Sequence, residues 1–145
     1  MSIFGVADAV DHRIWQHRNL LAVAELVEYG VKRKLPPIAW RVPTIGTVTG
    51  TVETLGSLAE AHPPRQTFEA WFEALSKHPR VGPGQLGIRR DRGQRHEHTD
   101  PHGQTRMIAA FELALKARPM CSFCLLAEWC EEELDQDGRG SYAKE

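Results

Sequence analysis

The chain has 145 residues, of which 41% are hydrophobic and 26% are charged, and its formal charge at pH 7 is −1. This length corresponds to one domain that buries about two thirds of the surface of its unfolded chain, so folding requires neither a metal nor a disulfide. The near-neutral charge gives no overall attraction to nucleic acid or to a membrane. No apolar run approaches a membrane span, and the first ten residues lack a signal-peptide pattern, so we expect a cytoplasmic protein with reduced thiols.

The first 79 residues predict an α+β core that begins with a long helix. Helical periodicity runs from about Ala7 to Lys34 and forms an apolar stripe of Leu20, Ala24, Val27 and Val31. The basic residues at positions 32–34 favour a helix end there, because cations complement the helix dipole.

A β-hairpin is predicted after this helix. Pro36 and Pro37 end the helical pattern, and residues 38–42 and 47–52 then alternate with a period of two around a connection that contains proline and glycine. We interpret Trp40 as a core residue that packs against the first helix.

A second amphipathic helix follows. Phe68, Trp71, Phe72 and Leu75 recur at helical spacing, and Pro79 requires the helix to end near position 78. We expect its aromatic residues to form the core with residues from the first helix and the hairpin, namely Leu20, Leu21, Val27 and Trp40.

Residues 80–104 predict a Gly-rich and Arg-rich loop or a weak hairpin. Long loops without regular structure usually carry function or are disordered. Four arginines, Arg89, Arg90, Arg92 and Arg95, could contact the phosphates of a nucleic acid. The alternative is a solvated loop, because acidic residues dilute the basic patch.

All three cysteines, Cys121, Cys124 and Cys130, lie in one C-x2-C-x5-C stretch. We predict that residues 105–135 are helical, with a strand over Ile108–Leu115 as the competing interpretation, and that residues 136–145 form a flexible tail. A turn that ends at Cys124, followed by a helix, would bring the three thiolates to one metal ion.

A zinc site would need a fourth ligand, and His96 is the first candidate, with His98 and His102 as alternatives. Two other interpretations of the cysteines remain open. They can fill a core as small apolar residues, or two of them can form a disulfide.

The spacing of the cysteines, followed by Glu131-Glu132-Glu133-Leu134, resembles the cysteine core of the WhiB-like family of actinobacterial regulators over residues 94–140. That family holds an iron–sulfur cluster on four cysteines, of which the last three have this spacing. Thr99-Asp100-Pro101, with His96, lies near the position of the family's first cysteine. The resemblance implies cluster binding, redox sensing and a sigma-factor partner.

Two functions follow from the sequence as hypotheses. In the first, the chain is a single-domain regulatory or adaptor protein without enzymatic activity, whose Cys3His site binds zinc, or an iron–sulfur cluster, and organises a surface for a protein or nucleic-acid partner. In the second, it is a metal-free α+β protein-interaction domain of phage or mobile-element type. An enzyme ranks third, because the sequence has no recognisable nucleophile elbow, phosphate loop or pair of catalytic carboxylates.

Overall fold

The structure, a computed structural model, describes residues 9–44, 46–87, 93–115 and 120–130. Helices and a mixed β-sheet occur together, which confirms the α+β class. The elements are α1 (Ala9–Lys32), β1 (Ala39–Arg41), β2 (Val48–Thr51), α2 (Gly56–Ala61), α3 (Pro64–Ser76), β3 (Val81–Pro83), β4 (Arg95–Thr99), β5 (Gln104–Leu113) and β6 (Cys121–Cys130). None of the described helices combines the length and the apolar composition that crossing a bilayer requires.

One six-stranded sheet organises these elements in the order β1-β2-β6-β5-β3, and β4 also pairs with β5. β2 and β6 are parallel, and the other pairs are antiparallel. One edge of β5 therefore pairs with β6 along its whole length. The other edge is shared by β3 at one end and β4 at the other.

The two longest strands alternate between a buried and a more exposed face. On β6, residues at odd positions from Cys121 to Trp129 are buried, and the residues between them are partly or fully exposed. Helices α1 and α3 pack on the buried face. Phe72 of α3 contacts Phe111 of β5, and Phe111 stacks on Phe123 of β6 with ring centroids 5.2 Å apart. The core is therefore a single layer between the helices and one face of the sheet.

The predicted hairpin is confirmed, because β1 pairs with β2 in antiparallel register. The two predicted long helices are also present as α1 and α3, and α3 ends at Ser76, three residues before Pro79. Part of the 80–104 region forms β3 and β4, and β4 makes a hairpin with β5. Residues 88–92 and the predicted tail at 136–145 lie outside the described residues.

The predicted helical segment at 105–135 is wrong over the residues that the structure describes. Residues 104–113 and 121–130 are two antiparallel strands paired in ten register positions. The competing strand interpretation of Ile108–Leu115 has the right type of structure, with the strand beginning earlier, at Gln104. Burial of one face of each strand outweighs the helix propensity of its alanines and leucines.

The predicted aromatic core is present, but one side of its expected packing is wrong. Phe68 and Trp71 are buried, and the Trp71 ring meets the Trp40 ring edge-on with centroids 5.8 Å apart. From α1, however, Ala22 and Leu26 face the core. The residues expected there, Leu20, Leu21 and Val27, are exposed.

Candidate functional site

The three cysteines lie on β6, where strand alternation divides them between two faces of the sheet. Cys121 is buried on the face that the helices cover, together with Phe123. Cys124 and Cys130 have the opposite parity and are partly exposed on the other face. The whole stretch is extended and paired with β5, so it has no turn that would gather the thiols.

Strand spacing also separates the two cysteines that share a face. Cys124 and Cys130 are six residues apart in the strand, so their Cα atoms lie about 20 Å apart. Zinc–sulfur bonds of about 2.3 Å require the thiolates of one site to lie within about 4 Å of each other. Among the residues that the structure describes, no group of three His, Cys, Asp or Glu side chains is arranged to hold a metal ion.

The candidate histidine ligands lie on β4 and in the turn that follows it. His96 is two strands away from β6, a distance of about 10 Å. The His96 and His98 rings stack with centroids 6.3 Å apart. His102 lies near Cys130 through its backbone, since its carbonyl oxygen is 4.0 Å from Cys130 Sγ. The structure therefore does not bring His96 together with Cys121, Cys124 and Cys130, and the zinc or iron–sulfur site stays a prediction without geometric support.

Cys121 has the surroundings of a core residue. Burial raises the pKa of the Cys121 thiol, and the nearby charge of Arg18 only partly opposes this effect. The thiol donates to Asn19 Oδ1 at 3.5 Å, and Asn19 Nδ2 donates to the Pro43 carbonyl at 3.0 Å. A neutral, buried thiol is a weak nucleophile and metal ligand. Its contact with Asn19 joins β6 to α1 and to the loop after β1.

Arg95 is the one predicted nucleic-acid contact that falls within the described residues, since Arg89, Arg90 and Arg92 lie outside them. Both terminal nitrogens of Arg95 donate to the carboxylate of Glu69 on α3, and the Nη1–Oε1 distance is 2.8 Å. This hydrogen bonding lowers the pKa of Glu69. The Arg95 guanidinium also lies over a phenylalanine ring of α3, 4.9 Å from its centroid. Arg95 therefore joins β4 to α3, which competes with phosphate binding.

An exposed apolar surface lies on the side of α1 that faces away from the sheet. It consists of five large side chains that are between 43% and 72% exposed: Ile14, Leu20, Leu21, Val27 and Val31. Ala24, which lies among them, is also exposed. We call these six residues the outer face of α1. Exposed polar residues, Arg13, His17 and Glu28, lie among them. Single exposed apolar residues are common, but several large ones on one side of a helix are typical of a binding surface.

A polar cluster joins α1 to the end of α3 and to the residues that follow it. Glu25 forms an ion pair with Arg80, and its carboxylate lies 3.4 Å from His78 Nε2. His78 Nδ1 accepts a hydrogen bond from the Arg80 backbone N–H at 3.0 Å, so the neutral imidazole carries its proton on Nε2, towards Glu25. Burial lowers the pKa of His78 and favours this neutral form. Tyr29 adds a third contact by donating to the Ala74 carbonyl at 2.7 Å.

Sequence reasoning found the outer face of α1 but assigned it to the core. The inner face carries Asn19, Ala22, Leu26 and Gly30, which have the same helical spacing but less apolar surface. The sequence does show that apolar residues occur on both sides of this helix, and this pattern could have identified the exposed face. Such a pattern is typical of a helix that is covered on both sides.

Comparisons with protein-family models, curated proteins and solved structures gave no match, so the functional conclusion rests on the geometry of the chain itself.

Proposed function

We propose that this chain is a protein-interaction domain without enzymatic activity, and that it binds its partner through the outer face of α1. One observation carries the proposal. One side of a 24-residue helix, which carries five large apolar side chains, points away from the sheet and is exposed. Leaving that side in water has a cost, because burial of apolar area contributes about 25 cal/mol per Å².

The shape of this surface favours a helical or grooved partner. Exposed apolar residues at helical spacing, from Ile14 to Val31 over about 26 Å of helix, match the anchors that helix-in-groove recognition uses. The inner face of α1 is fixed by its contacts with α3 and β6, so the outer face is presented on a supported helix. A supported surface loses little conformational entropy on binding.

The adaptor function with a zinc or iron–sulfur site, and nucleic-acid binding through the arginine loop, stay predictions. The interaction function does not depend on either. It uses only side chains that the structure describes, and it corresponds to the metal-free alternative of the two functions inferred from the sequence.

Site-specific photo-crosslinking in the cells that produce the protein tests the proposal. A photoreactive residue replaces Val31, which is 72% exposed on the outer face. The matched control replaces Glu73, whose side chain is 76% exposed on α3. We expect defined intermolecular adducts from position 31, none from position 73, and loss of the adducts when Leu20→Glu is added. Equal labelling from both positions, or no intermolecular adduct from position 31, would contradict the proposal.

A further inference from the structure

We infer that His96 and His98 together bind one divalent transition-metal ion, of the class of Ni²⁺, Cu²⁺ or Zn²⁺, without any of the cysteines. The inference is independent of the proposed function. The two residues are two positions apart on β4, so their side chains project from the same face of the strand. Their rings are nearly parallel, with an interplanar angle of 14° and centroids 6.3 Å apart. We call these two residues the histidine pair.

The histidine pair lies on the face of the sheet opposite α1 and α3. The residues that alternate with it on β4, Arg95 and Glu97, point to the other face and contact α3. His98 is exposed, and His96 is half-buried. An ion in solution can therefore reach both rings.

The spacing of the two rings suits one shared ion. Two metal–nitrogen bonds of about 2.0–2.1 Å place the two nitrogens about 3 Å apart. Rotation of the two side chains about χ1 and χ2 closes the present separation of the rings to that distance. Each imidazole has two nitrogens, so one can bind the ion while the other keeps a hydrogen bond.

Ion pairs on the opposite face fix the backbone that carries the histidine pair. Glu97, which lies between the two histidines, accepts hydrogen bonds from both terminal nitrogens of Arg65, at 3.1 and 2.9 Å. Arg95 precedes the pair and donates to Glu69 with both of its terminal nitrogens. α3 therefore holds β4 at two positions, although β4 pairs with β5 alone among the described strands. Ligands on a fixed backbone lose little conformational entropy when they bind an ion.

A cation beside the histidine pair is turned away from it. Arg106 of β5 lies next to His98 in the register, where its charge would repel a metal ion. Its Nε lies 3.6 Å from Oε2 of Glu128, which is on β6, on the side of β5 away from β4. Glu128 therefore offsets the charge of Arg106.

Two imidazoles bind an ion weakly, with water completing its coordination. Resident zinc sites use three or four protein ligands. Over the part of the chain that the structure describes, no third His, Cys, Asp or Glu joins the pair in a metal-binding group. We therefore expect an exchangeable ion that purification removes, bound more tightly as Cu²⁺ than as Ni²⁺ or Zn²⁺.

Calorimetric titration of the untagged full chain with Ni²⁺ tests the inference, because this ion binds imidazole and does not oxidise thiols. We expect one ion per chain, and His96→Gln and His98→Gln should each weaken binding at least about tenfold. His62→Gln, at the exposed end of α2, is the control that should leave binding unchanged. Circular dichroism checks that each variant folds. Absence of binding, or binding that neither β4 variant weakens, would overturn the inference.

A relocated histidine tests the strand geometry. The double variant His98→Thr and Thr99→His keeps the number of histidines but places the two on opposite faces of β4, so it should lose the Ni²⁺ site. Since Ni²⁺ is paramagnetic, it should also broaden the amide NMR signals of β4 and of the paired part of β5 more than those of α1. Equal affinity in the double variant, or broadening centred elsewhere, would overturn the assignment to the histidine pair.

Discussion

Gly30→Ala sets helix propensity against packing, and the structure predicts which effect wins. Gly30 is buried inside α1, and a Cβ there would lie 2.5 Å from Cη2 and 2.8 Å from Cζ2 of Trp71. Propensity alone favours alanine by about 1 kcal/mol. Overpacking a filled site costs about 1–3 kcal/mol.

We take the upper end of that cost, because the Trp71 ring cannot move aside. It is 2% exposed, it contacts the Trp40 ring, and its Nε1 donates to the Pro36 carbonyl at 2.7 Å. The net effect of Gly30→Ala should therefore be a loss of about 2 kcal/mol in the free energy of unfolding.

Trp71→Phe provides the matched background. A phenyl ring lacks the indole atoms that meet the new methyl group, so Gly30→Ala in that background should be neutral or stabilising by up to about 1 kcal/mol. The double-mutant cycle should give a coupling energy of about 2–3 kcal/mol. Urea unfolding followed by far-ultraviolet circular dichroism measures all four proteins without relying on tryptophan fluorescence. If Gly30→Ala stabilised the wild type as much as the Trp71→Phe protein, the contact between α1 and α3 would be wrong.

The remaining predictions concern charge and the thiols. Burial lowers the pKa of His78 below 6.5, so as the pH falls the unfolded chain binds a proton at this residue before the folded chain does. The free energy of unfolding should therefore fall as the pH drops through about 6.5. A His78→Gln protein with the same pH dependence would contradict this. A double-mutant cycle of Arg95→Ala and Glu69→Ala should give a coupling of about 0.5–1 kcal/mol after allowance for solvent screening, and a value near zero would remove this link between β4 and α3. Protein purified without a metal-affinity tag should lack stoichiometric zinc. Cys121→Ser should reduce the free energy of unfolding by about 1 kcal/mol or more, whereas Cys124→Ser should change it by less than about 0.5 kcal/mol. One equivalent of zinc in the wild type, lost in both variants, would restore the metal-site hypothesis.

Local periodicity predicted the helices and the first hairpin because those signals are contained in short stretches of sequence. Aromatic residues on one side of α3 and the proline after it define that helix without reference to the rest of the chain. The hairpin of β1 and β2 similarly follows from alternation and a turn between the strands.

β6 escaped prediction, and a strand at the position of β5 was only the competing interpretation, because both faces of these strands carry apolar residues. Leu126 lies between the buried Leu125 and Ala127, and Ile108 lies between the buried Met107 and Ala109. Apolar residues on the less covered face hide a period of two, and alanine and leucine then favour a helix. Pairing with a distant strand decides the structure, and no short stretch of sequence contains that information.

The metal-site hypothesis depended on the same local choice. Cysteines at C-x2-C spacing converge only on a turn or a helix, whereas in a strand Cys121 and Cys124 point to opposite faces. The error in the secondary structure of β6 therefore carried directly into the predicted ligands. The spacing of cysteines indicates a metal site only when the secondary structure of the segment that carries them is known.

The rotation of α1 shows why the more apolar side of a helix is not always the buried side. Two contacts on the inner face depend on side-chain identity: Asn19 bonds both Cys121 and a backbone carbonyl, and Gly30 leaves room for the Trp71 ring. Rotating α1 to bury Leu20 and Val27 would leave the Pro43 carbonyl without the Asn19 amide and would place bulkier residues against Trp71. Each lost buried hydrogen bond costs about 1–3 kcal/mol, and each overpacked contact costs a similar amount. Together these costs offset the gain of about 1.5–3 kcal/mol from burying one more leucine or valine. Shape and hydrogen bonding therefore fix the rotation of the helix, and they leave outside the apolar surface for which we propose a partner.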